Sequence, residues 1–166
     1  MIFVTVGAQM PFDRLVGAVD AWAATHPGAD VFAQIGPGAR EPSHLRWTRF
    51  MDPGEFRRRL TASDAVVSHA GMGTILTALE YGRPIVVMPR RGDLRETRND
   101  HQIATAQRFA ALGRVRVAND ESEVAPWLDR VAELRPAEAI APTASPELLG
   151  ALRRFVADAV QRAQRA

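Results

Sequence analysis

The sequence predicts an α/β fold: a Rossmann-like, doubly wound and mostly parallel sheet. Three observations carry this expectation. Short apolar runs alternate with stretches of helical periodicity along most of the 166 residues, the pattern of successive strand–helix units. The runs are continuously apolar rather than alternating, as in strands covered on both faces. Finally, Val66 to Pro89 reads as strand, tight turn, helix, tight turn and strand, the unit from which parallel sheets are built.

Ile2 to Val6 is the first strand, and Gly7-Ala-Gln9 its exit loop. Phe12, Leu15, Val16, Val19 and Trp22 follow helical spacing and give one apolar face, ended by His26-Pro-Gly. Val31 to Ile35 is the second strand, closed by Gly36-Pro-Gly38, and a short strand lies around Trp47 to Phe50. Asp52 caps the next helix, with Pro53 at its first position and Phe56 and Leu60 directed inward. Ala65 to Ser68 is a buried strand, Thr74 opens a helix that stops at Gly82, and Ile85 to Met88 is another buried strand. Arg90 to Asn99 is polar and irregular. A helix from about Asp100 should bury Ile103, Ala104, Phe109 and Leu112 and stop at Gly113. Val115 to Ala118 is a last strand, and Val124, Leu128 and Val131 mark a helix.

The character of the chain changes at Pro136. A main domain over residues 1–135 gives way to a linker over 136–145 and an amphipathic helix over 146–166. Ser145-Pro-Glu is its cap, and Leu148, Leu149, Leu152, Phe155, Val156 and Val160 share one face. That face either packs on the chain's own sheet or reaches a partner chain.

Composition excludes several classes of function. The absence of cysteine removes disulfide scaffolds and thiolate metal sites and suits a cytoplasmic protein. All 21 basic residues are arginine, so a pI near 10.2 accompanies a net charge of only +2. With no basic stripe interleaved with aromatics, nucleic acid is not an expected partner. The N-terminus opens directly on strand, without the basic flank and cleavage site of a signal peptide, and no apolar run approaches the roughly 20 residues that span a bilayer. Any membrane contact is expected to come through a partner.

The glycine turn is the candidate site. Gly71 and Gly73 let backbone approach a ligand closely, and free N–H groups at the following helix start favour an anion, most often phosphate. A Gly-x-Gly turn alone also occurs in α/β units that bind nothing. The dinucleotide-enzyme pattern fails: the third glycine's position holds Leu76, and no acidic residue ends a following strand about 20 residues on.

His-Ala-Gly-Met-Gly-Thr at 69–74, Gly-Arg-Pro-Ile-Val-Val-Met-Pro at 82–89 and Asp-His-Gln at 100–102 resemble the nucleotide-sugar signature in the C-terminal half of family 28 glycosyltransferases. Phe3-Val-Thr-Val-Gly-Ala-Gln and Pro11-Phe-Asp-Arg-Leu resemble it too, and the likeness covers roughly residues 1–135. The chain is most similar to the small free-standing branch of bacterial exopolysaccharide assembly (PssE/EpsF-like), and to the catalytic subunit of the two-chain dolichol-linked N-acetylglucosaminyltransferase.

The resemblance implies the C-terminal half of a GT-B glycosyltransferase that binds a UDP-sugar without a metal, consistent with the lack of an Asp-x-Asp motif. Gly7, Gly71, Gly73 and Thr74 would form the pyrophosphate cradle, with Gln9 and Met72 among the wider donor contacts. Asp100 and Gln102 would hydrogen-bond sugar hydroxyls of the donor, with His101 beside them, although neighbours at a helix start point apart. Relatives often carry a ribose-binding Glu where this chain has Thr77. Glu80, one turn on, either substitutes or is an exposed helix residue. Gln9 replaces the small hydroxyl residue that is common in relatives. His69 either braces the turn as a neutral imidazole or, as a cation and a candidate catalytic residue, supports the leaving phosphate. Arg90, Arg91, Arg95 and Arg98 crowd one loop. Either the loop is simply solvated, or one of them, with Arg90 first in line, meets the diphosphate or a uronate carboxylate.

No residue suggests itself as the general base. The expectation is therefore a donor-binding catalytic subunit that transfers a hexose or uronic acid to a lipid-linked acceptor in exopolysaccharide biosynthesis. It would be inactive alone and completed at the inner face of the membrane by a membrane-anchored partner resembling the N-terminal half. An isolated chain could also pair with itself as a homodimer. A non-catalytic nucleotide-sugar-binding or regulatory subunit, and a sugar-nucleotide 2-epimerase-like enzyme, are the rival classes.

Overall fold

The computed structural model describes residues 1–164, and the last two positions of the expected 146–166 helix lie outside the described residues. The elements run β1 (Ile2–Thr5), α1 (Asp13–Thr25), β2 (Val31–Gln34), β3 (Arg46–Thr48), α2 (Pro53–Ala62), β4 (Ala65–His69) and α3 (Met72–Glu80). They continue with β5 (Ile85–Met88), α4 (His101–Ala111), β6 (Arg116–Val117), α5 (Val124–Asp129) and α6 (Pro146–Gln164), with short 3-10 turns at Glu121–Glu123 and Val131–Glu133.

The sheet has six strands in the order β3-β2-β1-β4-β5-β6. All pairings are parallel, and Ile2 stands opposite Val31 on one side and Ala65 on the other. Successive side chains along each strand go to opposite faces, which divides the core in two. Val4, Val6, Val67, Val86 and Met88 pack with α1 and α5 through Leu15, Val19, Val124 and Leu128. Phe3, Val66, Ile85 and Val87 pack with α2, α3 and α4 through Leu60, Ile75, Leu79 and Ala106. The continuous apolar runs in the sequence are explained by this double coverage. Phe56 meets Phe3 edge-on at 5.6 Å, and Asp52 caps α2 by accepting from the Gly54 and Glu55 N–H groups at 2.8 and 3.0 Å.

Because strand order reverses between β1 and β4, their exit loops diverge to opposite faces and leave a crevice at the carboxyl edge. The loops after β1, β4 and β5 and the start of α4 all open there.

Several boundaries differ from the sequence expectation. α3 begins at Met72, not Thr74, because Gly71 takes the N-cap position with extended backbone and no side-chain cap. The strand expected at Val115–Ala118 keeps only Arg116 and Val117, and Val131 falls in a 3-10 turn beyond α5. α4 buries Gln102 and Ala106, with Ile103 and Phe109 half-buried, whereas Ala104 and Leu112 face solvent. The helix is rotated so that a polar side chain enters the crevice. The segment expected as a free linker is docked over its first half: Ala137 and Ile140 pack on the α2–α4 side, and Arg114 binds the Glu138 carbonyl at 2.6 Å.

α6 forms as expected but does not pack on the sheet. Its apolar face lies open, with Phe155 69% exposed and Leu148, Leu152, Val156 and Val160 exposed beside it. Truncation after Ser145 should therefore leave the melting temperature of the domain within about 1–2 °C. Ile75→Ala, at a fully buried position, should cost about 2–5 kcal/mol and lower Tm by roughly 5–15 °C. Thermal unfolding of the two variants checks both outcomes.

Candidate functional site

The crevice is a cleft of about 430 Å³ lined by residues 6–10 after β1, His69, Gly73 and Thr74 after β4, Arg90 after β5, Glu96, Thr97, His101 and Gln102. That volume falls in the usual range for a small-molecule site.

The floor is the β4–α3 turn. Helix α3 has no side-chain cap and no acidic residue in its first turn, so the positive end of its dipole is not neutralised locally. Gly73 and Thr74 line the cleft at the start of α3, and the Thr74 hydroxyl makes no protein hydrogen bond among the described residues. Gly71 is required by a close approach, since a Cβ there would overlap Nε2 of His69. Gly7 sits on the other side of the same ring with φ +79°, and a Cβ there would lie 3.0 Å from His69 Cε1. Two glycines thus clasp one imidazole. Their own N–H groups are engaged internally, Gly71 with the His69 carbonyl at 2.8 Å and Gly7 with the Thr5 hydroxyl at 3.3 Å. Anion-binding capacity is therefore concentrated at Gly73 and Thr74.

Burial first, and then the nearby Arg90 charge, push the His69 imidazole down from 6.5 to about 4, against an opposing hydrogen bond that the ring donates to the Thr5 carbonyl. His69 is accordingly neutral near pH 7, which is the state that braces the turn.

Arg90, expected among the donor contacts, is only 4% exposed. Its guanidinium donates to the carbonyls of Val6 and Met10, both at 2.9 Å, Pro11 at 2.6 Å and Glu96 at 3.4 Å, and it lies over the Phe12 ring at 4.6 Å. It edges the cleft while its fork holds the first loop in place. Among the other arginines, Arg91 pairs with Asp93 at 2.7 Å and Arg98 is exposed.

The three residues at the α4 start diverge. Gln102 is buried and accepts from the Arg90 backbone N–H at 3.2 Å through Oε1, which leaves its amide NH₂ without a protein partner among the described residues. His101 lines the cleft and pairs with Asn99. Asp100 turns away, accepting from the Gly92 N–H at 2.8 Å. Gln9 lines the cleft, whereas Met72 is exposed at the start of α3 outside it. Thr77 donates to the Gly73 carbonyl at 2.7 Å. Glu80 is exposed at the far end of α3, about 12 Å along the helix axis from Met72.

Sequence reasoning missed Glu96 and Thr97, which sit in the irregular loop without a periodic signal. Glu96 is held by Arg14, whose Nε and Nη2 meet its two oxygens at 2.8 and 2.9 Å. Among the described residues, no group of three or more potential ligands could hold a metal ion, and no helix is long and apolar enough to cross a membrane.

The His69 environment has a pH consequence. Above about pH 6.5 the imidazole is neutral in both folded and unfolded chains, and its burial costs no protonation energy. Between 6.5 and 4 only the unfolded chain binds the proton, so stability falls as pH falls, by up to about 3 kcal/mol. In an NMR titration His69 should remain neutral through pH 5, and His69→Gln should remove that part of the stability slope.

Comparison with known proteins follows the same lines. No curated protein matches the sequence. The glycotransferase of kitacinnamycin is 26% identical, with a TM-score of 0.58 over 80% of this chain and 34% of that one. Os79 from O. sativa, in complex with UDP, is 16% identical, with a TM-score of 0.59 over 80% of this chain and 31% of that one. The chain therefore spans about a third of the length of these two proteins. The solution structure of ALG13 is 22% identical, with a TM-score of 0.57 over 91% of this chain and 93% of that one. The neighbours share the GT-B C-terminal domain architecture. Residues 1–140 match the Glycosyltransferase family 28 C-terminal domain, and the chain belongs to that family.

Proposed function

We propose that the chain is the donor-binding, catalytic half of a glycosyltransferase and takes a UDP-sugar in the cleft between β1 and β4. The observation that carries this reading is the uncapped start of α3, with Gly73 and Thr74 opening into the cleft in a chain of this family. A diphosphate fits there because the N–H groups and the Thr74 hydroxyl supply donors where the helix dipole is positive. The similarity in fold to Os79, a protein solved with UDP, supports the nucleotide.

In glycosyl transfer the acceptor oxygen attacks the anomeric carbon and a base takes its proton. The bond to the diphosphate breaks with its electron pair passing to the phosphate oxygen. The α3 N-terminus would stabilise that growing charge from preset positions. A neutral His69 takes no direct share in countering it and instead holds the turn. Gln102, with a free amide and a fixed carbonyl, would hydrogen-bond sugar hydroxyls beside His101 and Thr97. No metal is required in this reading.

The acceptor and the general base belong to a second nucleotide-fold half. We place that half on a membrane-anchored partner that carries a lipid-linked acceptor, for exopolysaccharide assembly at the inner face of the membrane. The unpartnered apolar face of α6 supports such a partner, as does the match in fold along nearly the whole of ALG13. A hexose or a uronic acid is the transferred group.

Calorimetric titration with UMP, UDP, UDP-glucose, UDP-N-acetylglucosamine and UDP-glucuronate, without metal, tests the donor site. Binding should require the diphosphate, and Thr74→Ala should weaken it about tenfold, the loss of one hydrogen bond to a charged group. Equal affinity for UMP and UDP, or an unaffected Thr74→Ala, would refute the reading. Phe155→Ser should keep the wild-type Tm yet abolish transfer reconstituted with the partner's membranes. Full transfer by that variant would rule out α6 as the docking element.

A further inference from the structure

One side-chain contact at the cleft joins helix α1 to the loop after β5. Arg14 and Glu96 form a two-point ion pair at 2.8 and 2.9 Å, with side chains only 13% and 14% exposed. The Arg14 fork also reaches the Pro89 carbonyl at 3.2 Å and Glu121 at 2.9 Å. The Glu96 carboxylate accepts the Arg91 backbone N–H at 3.0 Å, and its carbonyl accepts from Arg90. Arg14 thereby joins α1, both ends of the Pro89–Glu96 turn and the turn that precedes α5. Glu96 and Thr97 line the cleft, and the same loop leads into His101 and Gln102.

A two-point guanidinium–carboxylate contact fixes distance and orientation together, unlike a point charge. The loop it fixes has no helix or strand of its own and carries Arg95 at φ +57°, so side-chain contacts define its shape. The Gly73–Thr74 backbone, by contrast, is positioned by β4 and α3.

We propose that Arg14 is a positioning residue for the sugar half of the donor. By gripping Glu96 it sets the 89–99 loop as the wall that presents Thr97 and Gln102 to the sugar, leaving the diphosphate half to α3. The assignment rests on the donor-binding reading given above. It separates two contributions to affinity: UDP alone senses α3, and the sugar's additional affinity senses the Arg14–Glu96 wall.

The test compares wild type with Arg14→Gln, Glu96→Gln, the double variant and Glu121→Gln. Two readouts apply: UDP against UDP-sugar affinity, and the rate of trypsin cleavage at Arg91, Arg95 and Arg98. In Arg14→Gln and Glu96→Gln, UDP affinity should change less than about twofold, while the sugar's added affinity falls about tenfold. Loop cleavage should rise about tenfold as local opening becomes easier. The double variant should be no worse than either single one, as for partners in one contact. Glu121→Gln, which severs only the exposed bond, should leave both readouts unchanged. Equal weakening of UDP and UDP-sugar would show a general structural role and overturn the proposal. Loop cleavage unchanged in folded variants would overturn it without reference to any ligand. If Arg14→Gln does not fold, Glu96→Gln carries the same two readouts. A wild-type chain that binds UDP with no gain from any sugar refutes the wall alone, whereas one that binds neither refutes the donor site itself.

Discussion

The Arg90 guanidinium is the contact on which the cleft depends. A buried cation normally finds a carboxylate, but this one is met chiefly by main-chain carbonyls from three points of the first loop and one from its own. Buried carbonyls need donors as much as a buried charge needs acceptors, and one side chain answers both requirements. The exit loop of β1 is thereby tied to the exit loop of β5 across β4, which lies between them in the sheet. The same charge helps to keep His69 unprotonated. The neutral ring in turn fills the space between two glycines, and the shape of the turn follows.

This arrangement divides labour according to rigidity. The end of the cleft proposed for the diphosphate is built from strand ends and a helix start, held by the sheet. The opposite wall is built from an irregular loop held by side chains, where small changes in sequence can alter shape without disturbing the core. Loops on a rigid scaffold are where recognition is most readily varied. A site with one constant half and one variable half would be expected to distribute its residues in this manner.

Much of the architecture was legible in the sequence because its signals are local. Ile85–Met88 is apolar throughout since both faces are covered, and Asp52-Pro53 announces a helix by the chemistry of its first turn. The glycine turn was legible too, as a close passage from strand into helix. What escaped depends on partners distant in sequence. Arg90 sits among three other arginines in a polar loop, and nothing local distinguishes the one whose carbonyl partners lie about 80 positions earlier. In α4, hydropathy points Ile103, Ala104, Phe109 and Leu112 inward, but the cleft draws in Gln102, and Ala106 follows one turn later. Gly71 gives no side-chain cap, so the sequence points to a start of α3 two residues later than the true one. Glu96 and Thr97 gave no pattern because irregular backbone has no period.

The open face of α6 also bears on how much of this protein a cell can keep. Apolar side chains held in water on an ordered helix resemble the surfaces that chaperones retain and quality-control proteases select. Chains made in excess of whatever covers that face would remain available to both, whereas covered chains would not. Abundance would then follow the supply of the covering surface rather than the rate of synthesis, and the helix would act as a counter of stoichiometry while taking no part in the chemistry.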